Sequence, residues 1–273
     1  MRKKNMYFIT YGSNDFRIAK KYLLKLANDS GLFRETVGFS VKDLSREFKK
    51  KYESILTFKR GGGYWVWKHE IINSFLNKID YGDIVIYSDA GSTFNIKGEK
   101  RLFEYIEMLD DSDYGAFIID NESQNLEYQW TTKELFDYFK IDKNSNEYSS
   151  VQKEATHLIF QKNDHSMSFL NKYKKVLDYD PWLITDKYNQ KNQRKGFIEN
   201  RWDQSIFSLL GKTLGCVSVE NETHFKSRPK EQYDYPFLAV RKHGHGLKDT
   251  AKFLINYKKQ YDEPAYFKDI HNV

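Results

Sequence analysis

The chain has 273 residues, of which 40% are hydrophobic and 16% aromatic, enough to bury one sizeable core. Its 44 Lys+Arg against 38 Asp+Glu give a net charge of +6, too small for a dedicated nucleic-acid protein but favourable to anionic ligands or lipid surfaces. The single cysteine, Cys216, excludes a disulfide framework and a multi-cysteine metal site, and it suits a reducing compartment. No apolar run reaches the roughly 18 residues of a membrane span, and residues 1–5 lead into a strand, so we expect a cytoplasmic protein.

Strand-like and helix-like segments alternate along the chain, which indicates a layered α/β sheet. Residues 7–10, 114–119 and 156–160 have the apolar character of strands. The polar stretches 143–150 and 187–195 predict surface loops. Helical spacing of apolar residues predicts helices that carry Phe16 to Leu26, Ile71 to Ile79 and Leu102 to Leu109, with further helices over 134–139, 167–177 and 203–214.

An apolar run that ends in an acid and a glycine occupies residues 81–91, with the sequence YGDIVIYSDAG. Its length and its bounding turn residues predict a buried strand, so Asp89 is expected at the carboxyl end, where open α/β sheets bind ligands. Gly91 has no side chain, which allows a hard cation and a diphosphate to approach the backbone. The alternative is an ordinary turn at the end of a strand.

A second segment, RGGGYWVWK at 60–68, places three glycines between two cations. Glycines beside basic residues can cradle phosphates, and we expect Arg60 and Lys68 to contact an anion, although no Walker spacing is present. Tyr64, Trp65 and Trp67 fit ligand contact and core packing equally well.

A third segment, NRWDQSIF at 200–207, has an acid at the predicted start of an amphipathic helix. Asp203 is either an ordinary helix N-cap or, together with Gln204, a group that faces a developing oxocarbenium-like centre. A fourth segment, RKHGHGLK at 241–248, offers imidazoles as metal ligands and a lysine for phosphates, and its alternative is a flexible basic loop.

Taken together, these segments resemble the GT-A nucleotide-sugar glycosyltransferases, in particular those of capsular-polysaccharide synthesis. The shared pattern is RGxGYWxWK, then GDIxxYxDAG, then W-T-K near E-x-F, then a DQSI helix. In this chain the four parts occur in that order at 60–68, 82–91, 130–136 and 203–206. The ordered combination is more specific than any one motif. The resemblance implies a single Rossmann-like GT-A domain over 1–273 with a mixed, mainly parallel central sheet, whose halves, 1–125 and 126–273, bind the nucleotide sugar and the acceptor.

The resemblance also implies a metal site. In the GT-A fold a DxD-type motif holds a divalent ion on the donor diphosphate, which gives that role to Asp89. Gly91 replaces the second acid, so another ligand is needed. The segment 243–248 is similar to the HxxGxxK element of glycogenin-like retaining transferases but is one residue shorter, so His243 and His245 remain competing metal ligands and Lys248 is the expected diphosphate ligand.

We therefore expect a metal-dependent hexosyltransferase that moves a sugar from a nucleotide-diphosphate donor, with UDP favoured, to a glycan or lipid-linked acceptor. The expected setting is surface polysaccharide synthesis with retention at the anomeric carbon, assisted by Mn²⁺ or Mg²⁺, with peripheral contact at the inner membrane face and no nucleic-acid partner. The expected catalytic residues are Asp203 and Gln204, and the expected donor-binding residues are Thr10, Tyr11, Gly12, Arg60, Gly63, Tyr64, Trp65, Lys68, Asp89, Ala90, Gly91 and Lys248.

Two other functions use the same residues. A non-catalytic glycan- or nucleic-acid-binding module would need only the aromatic and basic side chains. A metal-dependent phosphohydrolase normally clusters several carboxylates around its ions, and the segment around Asp89 offers one.

Overall fold

The computed structural model describes residues 4–225 and 231–240. Its strands are β1 (Met6–Tyr11), β2 (Glu35–Phe39), β3 (Ile84–Ser88), β4 (Thr93–Phe94), β5 (Ala116–Asp120), β6 (Lys153–Gln161) and β7 (Phe237–Leu238). Its helices are α1 (Arg17–Asp29), α2 (Arg46–Lys51), α3 (Glu53–Leu56), α4 (Gly61–Tyr64), α5 (Lys68–Leu76), α6 (Glu99–Asp110), α7 (Glu127–Trp130), α8 (Lys133–Phe139), α9 (Asn146–Ser149), α10 (Asp164–Tyr179) and α11 (Asp203–Leu214).

Five strands form the central sheet in the order β2-β1-β3-β6-β5. The pairs β1–β2 and β1–β3 are parallel, whereas β6 is antiparallel to both β3 and β5. Four of the five strands therefore point one way, and β6 runs in the opposite direction. This confirms the mixed, mainly parallel α/β sheet expected from the sequence. A second sheet pairs the short strands β4 and β7.

Strand β3 is buried along its whole length because helices cover both faces of the sheet. Val85 and Tyr87 belong to the core cluster that includes residues of α5, α10 and α11, while Ile84 and Ile86 belong to the cluster that includes residues of α1 and α6. Alternate residues of one strand thus supply the two apolar layers. In the part of the chain that the structure describes, no helix has the length and apolarity needed to cross a bilayer.

Strand β6 bulges beside the end of β3. Ile118 of β5 pairs with Leu158, but Asp120 pairs with Lys153, so one residue of β5 lies opposite four residues of β6, 154–157. A bulge bends its strand and re-aims side chains and carbonyls, and bulges are common next to active sites. This one brings residues 154–157 toward the carboxyl end of β3.

The predicted strands and helices are present, with ends shifted by a few residues. One prediction was wrong: the stretch 143–150 is not all loop, because Ser145 caps the short helix α9 through a hydrogen bond from the Tyr148 N–H. Strand β2 was not predicted, because its short edge segment is only partly buried and does not alternate clearly.

Candidate active site

Three segments that are far apart in sequence meet at the ammonium group of Lys68. Its Nζ lies 3.1 Å from Asp89 Oδ1 and 2.5 Å from Asp203 Oδ2, and it donates to the Ala155 carbonyl oxygen at 2.8 Å. Lys68 is only 1% exposed. The two carboxylate contacts are ion pairs, and Asp203 Oδ2 has no hydrogen-bond partner of good geometry among the described residues. The structure thus joins the end of β3, the start of α11, the start of α5 and the bulge of β6 at one point.

Burial and the neighbouring charges shift the pKa of Lys68, Asp203 and Tyr87. Burial alone lowers the pKa of Lys68, but the carboxylates of Asp203 and Asp89 outweigh it, so the pKa is raised and the lysine stays charged. Burial raises the pKa of Asp203 to about 6, with Lys68 opposing this and Asp89 adding to it. Burial, together with Asp89, raises the pKa of Tyr87 well above its usual value. Tyr87 donates its hydroxyl proton to Asp89 Oδ1 at 2.5 Å.

The glycine-rich turn before Lys68 explains how the lysine enters the core. Residues 61–65 all have positive φ, from +50° to +97°, so α4 is a turn of left-handed backbone. Gly63 has φ +97°, and a Cβ on it would lie 2.9 Å from the backbone Cα of Leu56. The turn therefore needs glycine, which is its structural role whatever ligand it contacts.

The turn also brings Arg60, Tyr64 and Trp65 against Trp202, the residue before Asp203. The rings of Trp65 and Trp202 stack at 5.1 Å, and the Arg60 guanidinium lies 4.9 Å from the Trp202 ring. The carboxylate of Asp186 accepts from the Trp202 indole N–H at 2.8 Å and from the Tyr64 hydroxyl at 3.0 Å. It also lies 3.3 Å from Arg60 Nη1. Trp202 has φ +55°, a strained conformation for a non-glycine residue that is typical of functional sites.

Strand β1 reaches the same edge of the sheet. Because β1 and β3 are parallel and Ile9 pairs with Tyr87, the ends of the two strands lie side by side. Thr10 and Tyr11 are buried, and Tyr11 stacks on Trp67 with ring centroids 3.7 Å apart. Trp67 is therefore a core residue. Gly12 donates its N–H to the Phe39 carbonyl oxygen at 3.1 Å.

The bulge of β6 adds buried polar groups near Asp89. Burial raises the pKa of Glu154 to about 8, Thr223 opposes this through a hydrogen bond, and Asp89 adds to it. Within the described residues, Glu154 Oε1 and His157 Nε2 are buried without a hydrogen-bond partner. His157 Nδ1 lies 2.9 Å from the Ser88 hydroxyl, next to Asp89.

Asp203 and Gln204 begin α11, as predicted, and they differ in burial. Asp203 is 4% exposed, and Trp202 before it, not Asp203, occupies the N-cap position. The ordinary N-cap interpretation of Asp203 is therefore wrong. Gln204 is partly exposed, and its amide Nε2 donates to Gln152 Oε1 at 2.7 Å.

A divalent metal ion fits the chemistry of Asp89, but the residues that the structure describes do not complete a ligand set around it. The Asp89 carboxylate is 28% exposed, and the Ala90 and Gly91 that follow leave little bulk beside it. Among residues 4–225 and 231–240, no three His, Cys, Asp or Glu side chains lie close enough together to hold a metal ion. The other predicted ligands, His243 and His245, and the predicted phosphate ligand Lys248, lie outside the described residues.

Several residues of this region were not predicted. Glu154 lies in the bulge of β6, Gln152 lies just before β6, and Asp186 lies in the loop that precedes α11. The one available signal was an acid or amide at the start of an otherwise apolar strand, as at 152–154.

No protein-family profile matches the chain, and no curated protein matches it. Solved structures do. A glycosyltransferase involved in glycosylation of the major capsid of PBCV-1 is 9% identical, with 92% of this chain and 99% of that chain covered and a TM-score of 0.50. Mouse xyloside xylosyltransferase 1 is 11% identical over 80% of this chain and 84% of that one, with a TM-score of 0.40. Galactosyltransferase LgtC is 11% identical over 96% and 99%, with a TM-score of 0.42. The likeness to the first confirms the expected GT-A fold.

Proposed function

We propose that the chain is a glycosyltransferase that takes a sugar from a nucleotide-diphosphate donor. The observation that carries the proposal is the meeting of Asp89 and Asp203 at one buried lysine, at the ligand-binding edge of a GT-A sheet. Such a lysine holds two carboxylates at a fixed separation, and its charge opposes the rise that burial causes in the pKa of Asp203. A carbohydrate-binding module has no need for a buried acid of this kind, which favours the enzyme over the non-catalytic alternative.

In the proposed reaction, the acceptor hydroxyl oxygen forms a bond to the anomeric carbon. The bond from that carbon to the diphosphate oxygen breaks, its electron pair leaves with the diphosphate, and the hydroxyl proton passes to a diphosphate oxygen. Asp203, ionised above its pKa of about 6, stabilises the positive charge that develops on the sugar ring. Lys68 positions Asp203 and Asp89, and Gln204 orients the sugar beside them.

A bound Mn²⁺ or Mg²⁺ would neutralise charge on the departing nucleoside diphosphate. We assign Asp89 as its carboxylate ligand, with His243 or His245 as the second protein ligand and Lys248 as a point charge on the phosphates. Ala90, Gly91 and Gly63 would allow the diphosphate to approach the backbone. Thr10, Tyr11 and Gly12 at the end of β1 would border the nucleotide.

The finer assignments belong to the same proposal. A UDP-hexose is the favoured donor, a glycan or a lipid-linked saccharide the acceptor, and retention the favoured outcome. The free Cys216 and the charge of +6 suit a cytoplasmic site of capsule-type synthesis with peripheral contact at an anionic inner membrane face.

A thermal-shift panel of UDP-, GDP-, ADP- and dTDP-sugars, each with and without Mn²⁺, tests the proposal. We expect the sugars of one nucleotide to raise the melting temperature of the wild-type protein, and the increase to be larger with Mn²⁺ than without it. In Asp89→Ala, the additional increase in melting temperature that Mn²⁺ causes should be lost. The matched control is Asp120→Ala, which removes another strand-end acid, one that pairs with Lys153 and not with Lys68. If no nucleotide sugar stabilises the wild-type protein, the proposed function is wrong.

A further inference from the structure

A buried hydrogen-bond network lies beneath the first turn of α11, and its outermost member is Gln204. Glu127, Thr131 and Gln152 are each 1% exposed or less. Glu127 Oε1 accepts from the Thr131 hydroxyl at 2.5 Å and from Gln152 Nε2 at 3.1 Å. Gln152 Nε2 also lies 3.1 Å from Thr131 Oγ1, and Gln152 Oε1 accepts from Gln204 Nε2 at 2.7 Å. The chain of bonds therefore runs from a buried acid to the candidate site.

The far end of the network is anchored to the same helix. Glu127 Oε2 lies 2.9 Å from Lys212 Nζ in the last turn of α11, and it accepts from the hydroxyl of Ser208. Lys212 is 7% exposed, so this is a buried ion pair. Breaking one partner of such a pair is far costlier than breaking a surface pair, which makes Glu127 a fixed point for α11.

The network has a direction that the chemistry of Glu127 imposes. A carboxylate can only accept hydrogen bonds, so Gln152 must turn its NH₂ group toward Glu127. Its carbonyl oxygen then faces Gln204, which must present its own NH₂ group to Gln152. The atom of Gln204 that is left for the site is the carbonyl oxygen Oε1, an acceptor. Without this constraint, a terminal amide presents either end with little preference.

An acceptor oxygen at this position has a specific use in sugar transfer. It can accept a hydrogen bond from a hydroxyl of the donor sugar, and its partial negative charge faces the positive charge that develops near the anomeric carbon. The NH₂ end of the amide would do neither, because it only donates and carries partial positive charge.

We propose that Gln152 and Glu127 are positioning residues of the transfer reaction, which fix the Gln204 amide with its carbonyl oxygen toward the donor sugar. The inference rests on the proposed function, since it assigns to Gln204 a hydroxyl-bearing donor sugar as its ligand. It also gives a purpose to the Trp130-Thr131 segment, because Thr131 donates to Glu127 and the Trp130 carbonyl oxygen accepts from the Ser205 hydroxyl at 2.7 Å.

The experiment measures kcat and KM for release of nucleoside diphosphate from the donor that the thermal-shift panel selects. Gln152→Leu cuts the network, and we expect kcat to fall about 100-fold while KM for the donor changes little, because misplacement of a reacting group weakens the transition state more than the ground state. The matched control is Gln161→Leu, the same substitution at the other end of β6. Gln152 immediately precedes β6, whereas Gln161 is its last residue and donates from Nε2 to Asp110. This control should leave kcat unchanged.

A second variant distinguishes the effect of the Gln204 amide orientation from the effect of side-chain packing at position 152. The exchange Glu127→Gln with Gln152→Glu keeps a carboxylate and an amide in contact and still presents only acceptors to Gln204. It is made together with Lys212→Met, because the exchange removes the carboxylate that pairs with the buried Lys212. We expect it to retain much more activity than Gln152→Leu. The proposal is overturned if Gln152→Leu turns over like Gln161→Leu, or if the exchange is as slow as Gln152→Leu. Absence of turnover in the wild-type protein would instead refute the proposed function, and the inference with it.

Discussion

Lys68 is the residue on which the candidate site depends, because it lies between two carboxylates and is excluded from water. Its Nζ is 2.5 Å from Asp203 and 3.1 Å from Asp89. Asp203 has little solvent to stabilise its negative charge, so the ammonium of Lys68 is the group that stabilises this charge. Surface pairs in the same chain are of another kind, as between Lys133 and Asp137, whose side chains are each 48% exposed.

Replacing Lys68 by Met should therefore lower the free energy of unfolding by about 3–5 kcal/mol near neutral pH, because a buried carboxylate is left unpaired. The loss depends on pH. The pKa of Asp203 is already raised above its unfolded value and rises further without the cation, so its share of stability is present at low pH and is lost as pH rises through the folded pKa. Urea unfolding should show a smaller deficit at about pH 5 than at about pH 8.

The control is Lys133→Met, which should cost less than about 0.5 kcal/mol at either pH. Adding Asp203→Asn to Lys68→Met should recover part of the lost stability. A deficit in Lys68→Met no larger than in Lys133→Met would show that the two carboxylates do not depend on Lys68.

At this scale the sequence predicted Lys68, Asp89 and Asp203 as site residues, and the structure brings the three together. Their contacts with a ligand stay a prediction. Lys68 was expected as a contact for a ligand anion, and in the structure its ammonium lies against two carboxylates and one carbonyl oxygen of the protein itself. Spacing places Lys68 at the start of a helix, but whether the side chain points into the core depends on the left-handed turn before it. Ala155, which accepts a hydrogen bond from Lys68, lies in strand β6, and the sequence around Lys68 does not predict this contact.

The element that decides the direction of Lys68 is the turn α4. The four residues of α4 and Trp65 after it have positive φ, which makes a left-handed turn that an L-residue adopts only at a cost. Tyr64 and Trp65 have φ +50° and +56°, and their contacts with Asp186 and Trp202 offset the conformational cost. The three glycines were predicted to matter as a phosphate cradle, and the structure adds a conformational reason for them.

Two neighbouring glycines of this turn should respond differently to alanine. At Gly63 a Cβ would meet backbone atoms at 2.9 and 3.1 Å, whereas at Gly62 the nearest atoms are side-chain atoms at 3.7 Å. Gly63→Ala should lower the free energy of unfolding by about 2–3 kcal/mol and reduce turnover, and Gly62→Ala should cost about 1 kcal/mol from its φ alone. Urea unfolding of the two variants checks this, and equal losses would contradict the packing described for Gly63.

The bulge of β6 is the second element that the sequence could not supply. A strand over 156–160 was predicted and is present, but the register that places residues 154–157 opposite a single residue of β5 is a property of strand pairing. Because the bulge delivers the Ala155 carbonyl oxygen and Glu154 to the site, part of the site was beyond local pattern analysis.

For the whole molecule, alternation of strands and helices was sufficient to predict a layered α/β sheet, and the family resemblance added its mixed, mainly parallel order. The strand ending near Asp89 lies at the centre of this sheet. The parallel pairing of β1 with β3 sets the ends of both strands at one edge, as the rule for ligand binding in such sheets requires. Helix α11 then brings Asp203 to that edge from more than a hundred residues later in the chain. This long-range approach follows from packing of α11 on β6 and the neighbouring helices, which no single motif specifies.

The central claim is that Asp203 acts on the donor sugar, and kcat for release of nucleoside diphosphate tests it most directly. Wild-type kcat/KM should rise with pH through about 6 as Asp203 ionises. Asp203→Asn should lower kcat about 100-fold or more with little change in donor affinity. The control Asp164→Asn alters the exposed acid that begins another helix, α10, and should turn over like the wild-type protein. Equal kcat values for Asp203→Asn and Asp164→Asn would contradict the account.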